Sequence, residues 1–515
     1  MDDLILFNAN VMTMDAAMSR AAFIAVRDGI IVEIGNARKI GQASGSARYI
    51  DCGGRTVLPG FIDAHCHVQA YAENLVSVNL SPGEGFHSIR EMQERIREYA
   101  ARRAPGAWIR GKGYNEFYLA EGRHPTRQDL DAATSLHPVK LTHRSGHAHV
   151  LNSLALEQVG ITAQTGDPDN GLIDRDLDRA EPTGVLYGMG GYLAARIPPL
   201  ARSELREGIS FVNERLLSRG ITSVQDASSY NDLDRWRQFE AWKMQGTFKP
   251  RLSIMAGMQA FDAQQGGLPS TVMDASLLRS GGIKIIVHEV TGRQSPGQEA
   301  LNGHVREIHE AGLQVMIHAV EEKAVEAACN AIEYALRCHP RKDHRHRIEH
   351  CSLCPPHLVD RMGDLGIAVV TQPPFIYYSG DRYLKTVPRE KHAYLYPFGS
   401  LLRKGLIVGA SSDFPIADPD PLVGVYAAVT RRSEEGRVIG AGEGVTAVDA
   451  IKMYTVFAAA SNFEEKMKGS ISPGKAADLV VLSDDPLRVN ARCIKDIKVE
   501  MTILGGEVVY RRDAC

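Results

Sequence analysis

The chain has 515 residues, 44% of them apolar and 23% charged, with a formal net charge of −3. That is an ordinary globular composition, long enough for one large core and a smaller one. The near-neutral balance gives no electrostatic case for nucleic acid or an anionic membrane, and no apolar run approaches the length of a bilayer span.

The first 57 residues read as β-structure: Leu4 to Phe7, Phe23 to Val26, a turn at Arg27-Asp28-Gly29, then Ile30 to Ile34. Val57 and Leu58 lead through Pro59-Gly60 into Phe61 and Ile62, a short buried strand ending in His65-Cys66-His67. Strand-like segments then alternate with helical ones. The strands are Val139 to Thr142, Ile221 to Val224, Arg251 to Ile254, Ile283 to Val287, Gln314 to Ile317, Arg347 to Glu349, Ala368 to Thr371 and Leu406 to Gly409. Helical periodicity falls over Ser88 to Arg103, Ser203 to Arg219, Glu322 to Arg337 and Val448 to Ala460. The C-terminus is again β-like, at Ala477 to Leu482 and Met501 to Tyr510.

About eight or nine strands, each followed by a helix or loop, predict an α/β fold of the (β/α)8 TIM-barrel type. A doubly wound open sheet competes, but no G-x-G-x-x-G follows a strand. The two β-rich ends predict one small β-sandwich domain built from both termini, over 1–57 and 461–515. The barrel is expected over 58–460, with an inserted subdomain at about 79–219, because that stretch is too long for one crossover.

Side chains alternate along a strand, so His65 and His67 project to one side. Alone they are either two core histidines or a chelate for a divalent ion. In a barrel, reactive groups gather at the C-terminal ends of the strands. There the chain places His65, His67, His318, His350 and Asp413, while Lys284 lies within a strand. Four imidazoles and a carboxylate at strand ends could hold one or two divalent ions, zinc first, with a position left for water.

The set Phe61 to His67, Lys284, His318-Ala319, Arg347 to His350 and Ser411 to Pro415 resembles the amidohydrolase superfamily. Within it the chain is similar to the long-insert branch that contains N-substituted formamide deformylase, amidohydrolase family 3. Ser145 to Asn152, Gly220 to Ala227 and Gly469 to Leu479 carry the same likeness, which covers essentially the whole chain. The resemblance implies that His65, His67 and Asp413 bind the more buried ion and that His318 and His350 bind a second. Lys284, carboxylated by CO2, would bridge the two. A lysine amid Ile283, Ile285, Ile286 and Val287 is costly to bury as an ammonium, and carboxylation would turn it into an anion that cations compensate. Asp413 is also the candidate proton carrier, and His147 matches a position near the substrate carbonyl, where a structural role is equally open.

Where the branch has Asp-Gly after the lysine, this chain has His288-Glu289; where it has Gly-Asp after the next strand's histidine, Glu321-Glu322 stands. His318-Ala319-Val320-Glu321 also matches the H-x-x-E spacing of mononuclear deaminases of the superfamily, where the glutamate shuttles protons. Otherwise Glu321 simply begins a helix, where acidic residues suit the dipole. The expected activity is metal-dependent hydrolysis of an amide, N-acyl or N-formyl C–N bond in a small molecule. The alternatives are a zinc aminohydrolase using Glu321 and a non-catalytic binding paralogue. Among weaker candidates, Trp108, Tyr114, Phe117, Tyr377 and Tyr378 are core aromatics by default, and Arg293 could meet a carboxylate.

The eight cysteines are scattered, as in a reducing interior, and Cys351-x-x-Cys354 stands alone and reads as incidental. Met1-Asp2-Asp3-Leu4 lacks a signal-peptide pattern, so a bacterial-type cytoplasm is the expected compartment. The partners expected are a small-molecule substrate and at most a second copy in a homodimer, with no nucleic acid and no membrane.

Overall fold

The computed structural model describes residues 3–36, 47–81, 85–168, 171–268, 273–290 and 293–512. Thr291 and Gly292 lie outside the described residues, as do the side chains of His288, Glu289 and Arg293. The chain divides into two compact units: Met1–His67 with Asn213–Cys515, and Val68–Val212.

The first unit contains an eight-stranded parallel sheet. Its strands are β1 (Phe61–Cys66), β2 (Ile221–Asp226), β3 (Arg251–Gly257), β4 (Leu278–Ile286), β5 (Val315–Ala319), β6 (Arg347–His350), β7 (Ala368–Thr371) and β8 (Val408–Ala410). They neighbour one another in that order, and every pairing is parallel. Every residue of β1, β2 and β3 is buried, as expected of strands covered on both faces. The segment after β8 returns to β1: the Asp413 N–H donates to His65 O at 3.0 Å and the His67 N–H to Phe414 O at 2.9 Å. The arrangement is a TIM barrel, closed at the point where His65, His67 and Asp413 meet.

The termini add two further sheets. Leu479–Leu482 runs antiparallel to Thr56–Pro59, joining a C-terminal strand to an N-terminal one in a six-stranded sheet. A four-stranded sheet includes Leu4–Phe7 and Phe23–Arg27. One apolar core, with Leu6, Ile24, Val57, Leu479 and Ile503 among its members, lies between them. Burying each such side chain contributes about 1.5–3 kcal/mol. Gly60 is the hinge between terminal sheet and barrel: a Cβ there would lie 2.2 Å from Thr222 Oγ1, so no larger residue fits.

The second unit is built on a six-stranded mixed sheet, in spatial order Leu172–Arg175, Pro182–Tyr187, Ala148–Leu151, Val139–His143, Ile109–Tyr114 and Val78–Asn79. Val139–His143, whose apolar run also suits a barrel strand, belongs here, which leaves eight strands for the barrel. The helix Ile89–Ala100 buries Ile89, Met92 and Ile96 against one face of this sheet. The helix expected over Val448 to Ala460 is two helices, Ala447–Met453 and Val456–Ala460, interrupted where Thr455 leaves helical geometry at φ −132° and ψ −91°. Among the described residues, no helix is long and apolar enough to cross a membrane.

Candidate metal centre

β1 delivers His65 and His67, and the turn after β8 delivers Asp413. Asp413 Oδ1 lies 3.1 Å from His67 Nε2 and 3.6 Å from His65 Nε2. One ligand atom from each of the three falls within 4.8 Å of the others. His350, at the end of β6, joins them: its ring centroid is 4.8 Å from that of His65 and 4.4 Å from that of His318, which lies in β5. Its Nδ1 stands 4.0 Å from Asp413 Oδ2.

Three of the imidazoles have one nitrogen committed elsewhere, and the hydrogen-bond network assigns their tautomers. His65 Nδ1–H donates to Glu349 Oε2. His67 Nδ1–H donates to Ser228 Oγ at 2.9 Å, and His350 Nδ1–H to Gln372 Oε1 at 2.9 Å. Each therefore presents an Nε2 lone pair, as a metal-binding imidazole held by an outer partner does. These partners are themselves fixed. Ser228 N–H donates to Asp226 Oδ1, and Gln372 Nε2 donates to Ser411 Oγ. Glu349 accepts from Arg347 Nε and, at 3.2 Å, from Nη2. Arg347 also donates to Gln225 Oε1 at 2.6 Å and to Ala64 O at 2.8 Å. Asp63 ties the closing segment to β1 by accepting from the Ser412 N–H at 3.2 Å and from the His65 N–H at 3.3 Å.

Lys284 in β4 is 3% exposed, and its Nζ has no hydrogen-bond partner among the described residues. His350 Nε2 and Asp413 Oδ1 are likewise buried without one. Three orphaned polar atoms around one cluster call for a ligand, since an unmet buried polar group costs about 1–3 kcal/mol. One lysine, four imidazoles and a carboxylate form a donor set that fits one or two divalent cations.

The electrostatics favour neutral imidazoles and an ionised carboxylate. Burial, with the Lys284 ammonium second, pushes His65 down to about 3. Burial also lowers His350. Burial alone would raise Asp413, but the neighbouring His67, His65 and His350 rings hold it below its ordinary range. Burial brings Lys284 down to about 8, against the pull of Glu349 and Asp413. Burial raises Asp63 to about 7 despite its bonds to Ser412.

Of the residues singled out in the sequence, His65, His67, His350 and Asp413 come together, His318 packs edge to face against His350, and Lys284 lies within electrostatic reach of Asp413. Glu321 is exposed at the N-cap of Glu322–Cys338, and its carboxylate makes no ion pair with another described residue. His147 is exposed in the second unit, in the turn before Ala148–Leu151, with its N–H on Ser145 Oγ at 3.3 Å. Tyr114 is buried in that unit's core and Trp108 packs against a neighbouring cluster. Tyr377 and Tyr378 pack edge to face with centroids 5.0 Å apart. Cys351 and Cys354 are buried free thiols. Sequence reasoning gave no role to Asp63, Arg347 and Glu349, which stand within the motifs it quoted, and missed Gln372 and Ser228.

Known proteins place these observations in context. A family model described as Amidohydrolase family matches residues 48–510. The N-substituted formamide deformylase of Arthrobacter pascens is 31% identical over 544 residues, covering 99% of each chain. The Arabidopsis thaliana protein LONG AFTER FAR-RED 3 is 27% identical over 99% of this chain and 91% of its own. Among solved structures, a metal-dependent hydrolase from Pyrococcus horikoshii superposes with a TM-score of 0.76 at 24% identity, over 95% of this chain and 99% of that one, a likeness of fold.

Proposed function

Because this chain belongs to the amidohydrolase family, we propose that it is a metal-dependent hydrolase of a C–N bond, an amide, N-acyl or N-formyl group, in a small molecule. The observation that carries this reading is the convergence of His65 Nε2, His67 Nε2 and Asp413 Oδ1 within 4.8 Å, with both imidazoles fixed from behind. His65, His67 and Asp413 would hold one ion; His318, His350 and Lys284 would hold a second. Bound there, a divalent ion such as zinc supplies Lewis acidity and lowers the pKa of water.

The chain's own residues supply the rest. His65 and His350 enter neutral, so neither repels a cation. Asp413 stays ionised and can take the proton of the attacking water, then hand it to the leaving nitrogen, which departs as a neutral amine. Lys284, lowered to about 8, is about one-tenth free amine at pH 7. That nitrogen can bond to the carbon of CO2 and release one N–H proton to solvent. The carbamate so formed would be an anion able to offset the charge of bound cations.

The aminohydrolase reading rests on Glu321 alone, and the exposed position of its carboxylate gives that reading less support than the histidine cluster gives hydrolysis of an amide. One experiment decides between them. Zinc-supplemented protein is assayed against N-formyl and N-acyl amines and, in parallel, against aminated heterocycles for ammonia release. Cleavage of the amides, lost in Asp413→Asn, is the expected result. Ammonia release without amide cleavage would replace the proposal with the deaminase, and protein that retains no metal would overturn both.

A further inference from the structure

A second polar cluster lies wholly within the second unit. Parallel pairing of Ile109–Tyr114 with Val139–His143 sets Arg110 opposite Lys140 and Lys112 opposite Thr142. Antiparallel pairing of Val139–His143 with Ala148–Leu151 sets Thr142 opposite His149. Paired residues share a face, as do residues two apart in one strand, so Arg110, Lys112, Lys140 and His149 all project from the same side of the sheet.

Like charges directly opposite on neighbouring strands repel, and Arg110 and Lys140 are such a pair. The local protein provides little to offset them. Lys112 Nζ donates to Ala70 O at 3.4 Å and lies 3.5 Å from the Glu73 carboxylate on the helix Val68–Leu75. Arg110 donates to Pro198 O, a neutral acceptor. Lys140 makes no hydrogen bond or ion pair with another described residue, and burial together with the neighbouring Lys112 ammonium pushes it down to about 8. His149 is 4% exposed, and its Nε2 has no partner. Its Nδ1 is 3.4 Å from Thr142 Oγ1, which can donate to it and leave Nε2–H as a donor. Three cations and one unfilled imidazole position therefore face two carboxylates, Glu73 and, within reach of Arg110, Glu204.

We propose that this face of the inserted sheet is a binding site for an oxyanion, a carboxylate or phosphate group, with Lys140 and Arg110 supplying charge and His149 Nε2 a hydrogen bond. Such an anion would meet the Lys140 ammonium and the His149 imidazole at once and cancel the repulsion between Arg110 and Lys140. All the residues of this site lie in the second unit.

The test is calorimetric titration of the metal-loaded, full-length protein with inorganic phosphate and, separately, with acetate, at constant ionic strength. Saturable binding of at least one anion is expected, and the tighter of the two identifies the ligand class. Lys140→Met should weaken that binding by about ten-fold or more, whereas Lys140→Arg should keep it. Retained amide hydrolysis in Lys140→Met would show that the variant is folded, so that its loss of binding is local. The proposal is overturned if neither anion binds saturably, or if Lys140→Met binds as the unaltered protein does.

Discussion

Glu349→Gln is the most informative single change at the metal centre, because Glu349 touches no proposed substrate position yet joins a buried arginine to a ligand histidine. Its side chain is fully buried, with one oxygen receiving the His65 Nδ1–H and both receiving Arg347. An amide cannot accept at both ends: its NH2 must face either the His65 Nδ1–H or the Arg347 guanidinium, donor against donor. Arg347 also loses its counter-charge in a place with no water to replace it, and breaking such a pair costs about 3–5 kcal/mol of stability. The imidazole loses the partner that fixes its tautomer, which weakens metal binding about 10–100-fold, or roughly 1.4–2.7 kcal/mol. The two effects can be measured apart. Stability comes from denaturant unfolding of metal-free protein, and affinity from competition for Zn2+ against a chromogenic chelator on protein shown to be folded by circular dichroism. Glu349→Leu combined with Arg347→Met removes the orphaned cation, leaves the His65 Nδ1–H without that acceptor, and should recover much of the stability but none of the affinity. If either folded variant binds Zn2+ as tightly as the unaltered protein, Glu349 does not position His65.

Other consequences concern charge and burial. Lys284 has a folded value of about 8 against 10.5 when exposed. The unfolded chain therefore holds more protons across that window, and stability should rise with pH from 8 to 10.5. Relative to Lys284→Met, metal-free protein should gain about 3 kcal/mol over that range, measured by denaturant unfolding at several pH values; an unchanged difference would refute the burial of an ammonium. His346 Nε2 donates to His309 Nδ1 at 2.8 Å and its Nδ1 accepts from the Val315 N–H at 3.1 Å, so both ring nitrogens are occupied in the neutral form. Burial, chiefly, holds His346 well below its ordinary value, so the unfolded chain takes up the proton first as pH falls below about 6.5. His346→Gln should therefore lose stability less steeply between about pH 6 and 5, by roughly 1 kcal/mol per unit; an equal slope would show that this imidazole is not the acid-sensitive group. Asp478 in the terminal sheet region accepts from Arg251 of β3 at 2.6 and 3.0 Å. Asp478→Ala strands that buried guanidinium and should cost about 3–5 kcal/mol in thermal or denaturant unfolding, and a loss under about 1 kcal/mol would mean the pair is already compensated.

The barrel was legible because buried parallel strands write themselves as short aliphatic runs, and because a titratable residue closes several of them. Periodicity could not say which sheet a strand enters. Val139–His143 has the same texture as a barrel strand and lies instead in the insert. Nor does any proline or glycine mark the break at Thr455. At the metal centre the residues whose side chains suit a cation were visible, while those that orient them were not. Gln372 and Ser228 follow β7 and β2 with no motif of their own, and their value comes only from the register that sets them beside His350 and His67. Glu349 did leave a signal. In a strand, Arg347 and Glu349 must share a face, and an opposite-charge pair inside a barrel implies something for it to hold.

The same alternation that puts His65 and His67 on one side of β1 should send the consecutive Glu349 and His350 to opposite sides of β6. Both nevertheless reach His65, Glu349 by hydrogen bond and His350 by ring contact at 4.8 Å between centroids. The backbone resolves the conflict: His350 and Cys351 have φ of 72° and 51°, in the left-handed region, so the chain turns as the strand ends. Asp413 does the same at φ 56°, which lets Ser412 Oγ bond Asp63 while the next side chain faces His65 and His67. Non-glycine residues in that region cost about 1–3 kcal/mol each and persist only where the surroundings hold them. Thirteen of the described non-glycine residues lie at positive φ, and two of them are proposed ligands. At those two the left-handed turn serves ligand placement: it lets consecutive side chains, Glu349 with His350 and Ser412 with Asp413, each reach a partner on β1.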